Sequence, residues 1–239
     1  MGIKSTFIII STLITCSLLA FIEHGIEINY LVKTGLKILL FFLAIWIYIL
    51  FFKSYKFRDV ISIEKITVKE WKRIVILGFS SVAVVLIAYL IFLPLINLDA
   101  IKHDLTDRLG INATTYIIVG LYVTFGNSFL EEYFFRGFIF FNLPKKIGYF
   151  YSPILFAAYH IPMIMLWFSP LIIGLCFLGL WIIGLVFHKV NERNQTIWAS
   201  WMIHICADIM IILIGMTLFY WKHFSLRPCP RLAQWMKWI

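Results

Sequence analysis

The chain has 239 residues, of which 62% are hydrophobic and only 14% charged, and its net charge is +9. A soluble domain is usually about half apolar and a quarter charged, so this composition, with a mean hydropathy of +0.93, excludes an ordinary soluble enzyme. The basic residues flank long apolar blocks, as they do in the loops of membrane proteins, and therefore do not indicate a nucleic-acid partner.

The apolar blocks predict an all-α, polytopic membrane helix bundle. Each block approaches the ~20 residues that a helix needs to cross a bilayer, and helices are expected because open sheet edges cannot face lipid. About seven spans are predicted, at 5–23, 36–52, 74–96, 116–141, 153–169, 171–188 and 196–221. The span at 153–169 is expected to begin with Ser152 as its N-cap and Pro153 in its first turn. No proline- or serine-rich linker separates them, so residues 1–239 are interpreted as a single membrane domain.

Lysine and arginine residues in the short loops predict the orientation of the bundle. The 53–73 loop is the most basic and is placed in the cytoplasm, whereas the 97–115 loop mixes both charges and is placed outside. The tail, residues 222–239, breaks this alternation: either it folds back as an amphipathic helix at the membrane surface, or the span count is off by one. We expect a multi-pass protein of the cell membrane, and the composition favours a bacterial cytoplasmic membrane.

Three of the predicted spans carry polar clusters. A charged residue at mid-bilayer costs roughly 3 kcal/mol on insertion scales, so such residues usually serve a function. The clusters are Glu131-Glu132-x-x-x-Arg136, Phe156-x-x-x-His160 and His204-x-x-x-Asp208. At about 1.5 Å per helical residue they lie roughly 10 to 15 Å from the cytoplasmic face. One buried site in the cytoplasmic half of the bilayer is therefore predicted.

The spacing within each cluster predicts which side chains meet. Glu132 and Arg136 are four residues apart and can form an ion pair on one helix face. Glu131 points about 100° away from Glu132, so one carboxylate can pair while the other faces a cavity. His204 and Asp208 also share a face. A buried structural role for the Glu132–Arg136 pair is an equally good interpretation of the spacing.

The same side chains suit hydrolysis. Glu131 can act as a general base on water, and Phe156 can wall the cavity one turn before His160. Two histidines and one carboxylate are also a catalytic zinc set, so Glu131, His160 and His204 could hold a divalent metal such as zinc. The chain has no His-Glu-x-x-His sequence and is therefore not a zincin.

In this order the three motifs resemble those of the CPBP (Abi) family. Its members include type II CAAX prenyl endopeptidases and bacterial bacteriocin-processing or bacteriocin-immunity proteins. The resemblance covers residues 116–221, which are predicted to be the catalytic core. It implies an intramembrane endopeptidase that cleaves a peptide or membrane-protein substrate from the cytoplasmic side, with Glu132 and Arg136 as a supporting ion pair.

The resemblance also implies a role for each remaining polar residue. Glu131 corresponds to the glutamate that activates water, and His160 to its histidine partner. His204 and Asp208 correspond to the pair that stabilises the oxyanion or helps to bind a metal. The prenyl proteases usually carry Asn where this chain has Asp208, which favours a role other than strict cleavage of prenylated CAAX sequences.

Three other functions fit parts of the pattern. A bacteriocin-immunity or protein-maturation factor of the same fold would act by binding alone. A haem protein would use His160 and His204 as axial ligands, which leaves the glutamates unexplained. An ion- or proton-coupled transporter would use Glu131 as its coupling carboxylate, although no inverted repeat is visible in the sequence.

Overall fold

The computed structural model describes residues 2–52, 57–63 and 66–220, and this part of the chain contains helices and no strand. In chain order the helices are α1 (Ile3–Gly25), α2 (Tyr30–Phe52), α3 (Phe57–Val60), α4 (Val68–Phe92), α5 (Leu98–His103), α6 (Ala113–Leu121), α7 (Ser128–Glu132), α8 (Lys145–Ile164), α9 (Pro170–Asn194) and α10 (Trp198–Tyr220). Two π-helical segments, Tyr122–Asn127 and Tyr133–Phe140, join α6 and α7 into one continuous helix over Ala113–Phe140.

Six helices in the described residues are long and apolar enough to cross a membrane. They are Ile3–Gly25, Tyr30–Phe52, Val68–Leu95, Ala113–Phe140, Pro170–Arg193 and Trp198–Tyr220. The prediction of an all-α, multi-pass membrane protein is confirmed, and the predicted number of seven spans is approximate. The tail at 222–239, with its predicted surface helix, lies outside the described residues.

The predicted span at 153–169 corresponds to α8, which is not among these six. It begins at Lys145 and ends at Ile164, so Pro153 lies inside the helix rather than at its first turn. The Ser152 hydroxyl donates a hydrogen bond of 2.7 Å to the Phe135 carbonyl, so it joins α8 to the neighbouring helix instead of capping α8. The sequence rule for proline at a helix start therefore gave the wrong boundary here.

Two of the long helices begin at residues whose side chains bond the free backbone amides of the first turn. Thr67 and Glu70 form a reciprocal capping box before α4, and Asn112 and Thr115 do the same before α6. Such caps satisfy N–H groups that have no partner within the helix. They fix where these two spans start.

An aromatic cluster fixes the helix that carries the glutamates. Phe134, Phe135 and Phe138 are fully buried. The ring of Phe134 stacks on that of Phe41 in α2, with centroids 4.0 Å apart and planes 2° apart, and Phe138 packs edge-on against Tyr48. Since lipid offers no hydrophobic drive between helices, close packing of this kind holds a membrane bundle together.

On the other side of the bundle, α10 packs against α4 and against the Ala113–Phe140 helix. A Cβ atom at Gly78 would lie 2.9 Å from Cys206 Sγ, and one at Gly120 would lie 2.9 Å from Ile212 Cγ2. Cys206 therefore faces α4. Cys16, Cys176 and Cys206 are free thiols, and Cys229 lies outside the described residues.

A network of charged side chains ties the helix ends together next to the 97–115 loop. Glu23 Oε1 accepts from Lys33 at 3.0 Å and from Arg108 at 2.8 Å. Arg108 also donates to both carboxylate oxygens of Asp104, at 2.6 and 2.9 Å. The Trp167 indole N–H donates to Asp104 at 2.8 Å. The network thus joins α1, α2, the segment after α5 and the residues after α8.

Candidate active site

Glu131 and Glu132 lie in α7, between the two π-helical segments, and both are almost inaccessible to solvent. Widened π turns often occur at functional sites, because they change which way the following side chains point. The two carboxylates point to different partners. Side chains from α2, α8 and α10 converge on them.

The Oε2 atom of Glu131 faces two imidazoles. It lies 3.5 Å from His160 Nε2 and 4.0 Å from His204 Nε2. The predicted clusters on α7, α8 and α10 therefore meet at one carboxylate oxygen.

The Oε1 atom of Glu131 is held by side chains that the sequence reasoning missed. Asn127 Nδ2 donates to it at 2.8 Å, and the Tyr159 hydroxyl donates to it at 3.2 Å. Lys37 Nζ lies 3.9 Å away. One signal was available for Lys37, since a lysine inside an apolar span is a functional candidate by default. Asn127 lies one helical turn before Glu131, and because residues four apart share a helix face, this contact could also have been predicted.

Each imidazole is oriented by its other ring nitrogen. His160 Nδ1 lies 2.7 Å from the carbonyl oxygen of Phe156, and His204 Nδ1 lies 3.0 Å from Glu132 Oε1. Carbonyl and carboxylate oxygens only accept hydrogen bonds, so both Nδ1 atoms carry a proton. The Nε2 atoms are thereby aimed at Glu131. The Phe156 ring packs edge-on against His160, as a wall of the same site.

Glu132 and Arg136 form the predicted pair, at 3.0 Å and with both side chains fully buried. The guanidinium carbon lies 4.0 Å from the ring centre of Phe156 and 4.9 Å from that of Phe187. Cation–π contacts of this kind partly replace the lost hydration of the charge. Within the described part of the chain, Glu132 Oε2 and the Nε and Nη2 atoms of Arg136 have no hydrogen-bond partner.

Asp208 completes the predicted set. Its Oδ1 lies 3.7 Å from His204 Nε2, so the two side chains share a face of α10 as expected. Its Oδ2 is buried and accepts no hydrogen bond from any residue that the structure describes. A polar atom that is buried without a partner costs free energy, so this oxygen is available to a group that enters the site.

A cavity of about 360 Å³ lies beside the site. Lys37 and Tyr159 line it at the Glu131 end, and Glu23, Lys33 and Arg108 line it at the other end. Most of the remaining wall is apolar. The cavity therefore extends from the neighbours of Glu131 Oε1 toward the helix ends next to the 97–115 loop.

Glu131, His160 and His204 are the side chains predicted to hold a metal. They meet as a carboxylate oxygen that faces two imidazole nitrogens, at 3.5 and 4.0 Å. Among the residues that the structure describes, no group of three or more His, Cys, Asp or Glu side chains is arranged to hold a metal ion.

The fold and this site define a multi-pass helical membrane protein with a buried carboxylate–imidazole centre. Residues 113–210 match the family model described as type II CAAX prenyl endopeptidase Rce1-like. This part of the chain, which carries all three motifs, is thus similar to the CPBP (CAAX protease) family, and the predicted resemblance is confirmed. The match supports an intramembrane endopeptidase of the CAAX type. Comparisons with curated proteins and with solved structures gave no match.

Proposed function

We propose that the protein is an intramembrane endopeptidase in which Glu131 activates the water that attacks a peptide bond. The observation that carries the proposal is the meeting of Glu131 Oε2 with the Nε2 atoms of His160 and His204. A buried carboxylate beside two oriented imidazoles can take a proton from water and pass it on, which is the work of a general base and acid.

In the proposed reaction, Glu131 Oε2 removes a proton from water as the water oxygen bonds to the carbonyl carbon of the substrate. The carbonyl oxygen then carries the negative charge of a tetrahedral intermediate. When the C–N bond breaks, the leaving nitrogen takes up the proton from Glu131, directly or through His160. The products are a carboxylic acid and an amine, which at neutral pH become a carboxylate and an ammonium by transfer of one proton, and Glu131 returns to its starting state.

His204 is proposed to stabilise the oxyanion. As an imidazolium it donates from Nδ1 to Glu132, at 3.0 Å, and from Nε2 into the site. Glu132 and Asp208 favour this charged form because each carboxylate lies within 4 Å of a ring nitrogen. Preorganised donors aimed at a developing charge are usually the largest single contribution to catalysis.

The proposed substrate is a membrane-associated protein or peptide. An apolar cavity that reaches Lys37 and Tyr159 gives such a chain a place beside Glu131. Asp208, in the position where prenyl proteases usually carry Asn, supports a substrate range that is not limited to prenylated CAAX sequences. Zinc bound by Glu131, His160 and His204 is the competing form of the proposal. Cleavage that persists with 1,10-phenanthroline supports the metal-free form, and its loss supports zinc.

The test compares protein termini in membranes of cells that express either the wild type or Glu131→Gln at matched levels. Gln keeps the size of the side chain but cannot accept a proton from water. We expect new N- and C-termini in cells with the wild type and none with the variant. Identical termini, in cells where a phenotype still depends on the protein, would overturn the proposal in favour of an immunity or maturation factor that acts by binding.

A further inference from the structure

We propose that Lys37, through Asn127, is a positioning residue that fixes which oxygen of Glu131 acts on water. The proposal rests on the proposed function, since it assigns a role within the same site. Lys37 lies in α2, before the segment 113–210 that matches the family model. The proposal therefore adds a helix from outside that segment to the active site.

The geometry forms a chain of two hydrogen bonds. Lys37 Nζ donates to Asn127 Oδ1 at 2.7 Å, and Asn127 Nδ2 donates to Glu131 Oε1 at 2.8 Å. A lysine ammonium can only donate and an ionised carboxylate can only accept. The amide of Asn127 therefore has one consistent orientation, with its oxygen toward Lys37 and its nitrogen toward Glu131.

This arrangement divides the two oxygens of Glu131 between two tasks. Oε1 is occupied by the Asn127 amide and the Tyr159 hydroxyl. Oε2 faces the two imidazole nitrogens, at 3.5 and 4.0 Å. The carboxylate cannot rotate without breaking both bonds at Oε1. Oε2 therefore keeps facing the side of the site where water and the substrate carbonyl are expected to bind.

The packing of α2 sets the position of Lys37. Phe41, one helical turn further along α2, stacks on Phe134, which lies three residues after Glu131. The stack therefore fixes the register of α2 against the glutamate helix where Lys37 must reach Asn127. The Lys37 ammonium also lies 5.7 Å from the ring centre of Tyr159, and both side chains line the cavity.

The test measures kcat and KM of Lys37→Met, Asn127→Ala and the double variant on purified protein, with a substrate found by the comparison of termini. Misplacing a catalytic group by about 1 Å can cost about 10²-fold in rate. We expect each single variant to lose about 10- to 10²-fold in kcat with little change in KM. Because the two residues act in series, we expect the double variant to be no worse than the poorer single variant.

Three further variants sharpen the result. Lys37→Arg keeps a donor and should recover part of the rate. Asn127→Asp places a carboxylate against Glu131 and should be worse than Asn127→Ala. Lys72→Met is the control for the change of lysine to methionine, because Lys72 is exposed in α4 and does not line the cavity; it should keep the wild-type kcat. Losses that multiply in the double variant, or an unchanged kcat in Lys37→Met, would overturn the proposal.

A second readout does not depend on activity. Infrared difference spectra of wild type minus Glu131→Gln, on protein labelled with ¹³C-glutamate, isolate the carboxyl absorption of Glu131. Lys37→Met and Asn127→Ala should shift this band in the same way, and Lys72→Met should leave it in place. A shifted band in a protein that cleaves nothing would preserve the Lys37–Asn127 proposal and reject the proposed function. An unshifted band would reject the Lys37–Asn127 proposal.

Discussion

His204 Nδ1 and Arg136 Nη1 both lie 3.0 Å from the same atom, Oε1 of Glu132. One buried carboxylate oxygen therefore orients the proposed oxyanion donor and neutralises a buried guanidinium. The two glutamates have separate tasks in this account, although they are adjacent in the chain. Glu131 faces the space where the reaction is proposed to occur. Glu132 holds the neighbouring side chains of His204 and Arg136 in place.

This division predicts different outcomes for Glu131→Gln and Glu132→Gln. Removing one partner of a buried ion pair typically costs about 3–5 kcal/mol, because the other charge stays buried without compensation. Glu132→Gln should therefore lower both the unfolding temperature in nanodiscs and the activity. Glu131→Gln should lose activity at a nearly unchanged unfolding temperature. Equal unfolding temperatures for the two variants would contradict the assignment.

Asp208 gives a prediction about the oxyanion site. Asparagine, the usual residue of the prenyl proteases at this position, can donate a hydrogen bond from its amide. Asp208→Asn should therefore keep activity within about 10-fold. Asp208→Leu leaves the imidazolium of His204, the proposed oxyanion donor, without this polar neighbour, and should lose up to about 10²- to 10³-fold, the cost of losing an oxyanion donor. Initial rates on one peptide at matched protein levels measure the difference. Both variants are close to Asp in size and lack its charge, so equal losses would show that the charge of Asp208, and not its hydrogen bonding, matters at this position.

Gly184 lies where α9 packs against α8, and a larger residue there should destabilise the protein. A Cβ atom there would lie 2.7 Å from Pro153 Cβ and 3.6 Å from Arg136 Nη2. Gly184→Ala should destabilise the protein by about 1–3 kcal/mol through overpacking. Gly179 in the same helix has nothing within 4 Å of its Cβ position, so Gly179→Ala is the matched control and should be neutral or slightly stabilising. The unfolding temperatures of both variants test this contrast.

The carboxylate of Asp104, which lies outside the membrane spans, should make the stability of the protein depend on pH. Burial by itself raises the pKa of the Asp104 carboxyl, but hydrogen bonds from Arg108 and Trp167 outweigh it and hold the pKa below its usual value. A lowered pKa in the folded state adds stability that is present above the unfolded-state pKa and is lost as pH falls through the folded-state pKa.

Asp104→Asn should therefore unfold at a lower temperature than the wild type at pH 7. The difference between the unfolding temperatures of wild type and variant should narrow as pH falls below about 4, the usual range of an aspartate pKa. Asp99→Asn is the control, because Asp99 is exposed in the same loop, and it should show a much smaller gap at pH 7. A gap for Asp104→Asn that stays constant down to pH 3 would contradict the role given to this carboxylate.

The local pairings of the site could be predicted from the sequence. Glu132 with Arg136, and His204 with Asp208, follow from the repeat of the helix, because residues four apart share a face whatever the rest of the chain does. The convergence of three clusters could be predicted as well, since buried charges in a membrane must find partners.

Long-range contacts could not be predicted in the same way. Lys37 lies 90 residues before Asn127 in the chain, and no local rule brings α2 beside α7. The start of α8 was misplaced because Pro153 resembles a helix start, while the fold tolerates it inside a packed helix. The sequence does not distinguish the glycines of α9 either: Gly174 and Gly179 have nothing within 4 Å of their Cβ positions, whereas Gly184 lies against Pro153.

If this chain itself cleaves a peptide bond with Glu131 as the base, the purified protein should reproduce the reaction. The most direct test reconstitutes the purified protein in nanodiscs with a peptide that spans a cleavage site found in cells, and compares wild type with Glu131→Gln. We predict cleavage by the wild type and a loss of about 10²- to 10⁴-fold in the variant, the usual contribution of a general base, at equal unfolding temperatures. Equal cleavage rates, or no cleavage by folded wild type, would contradict the account.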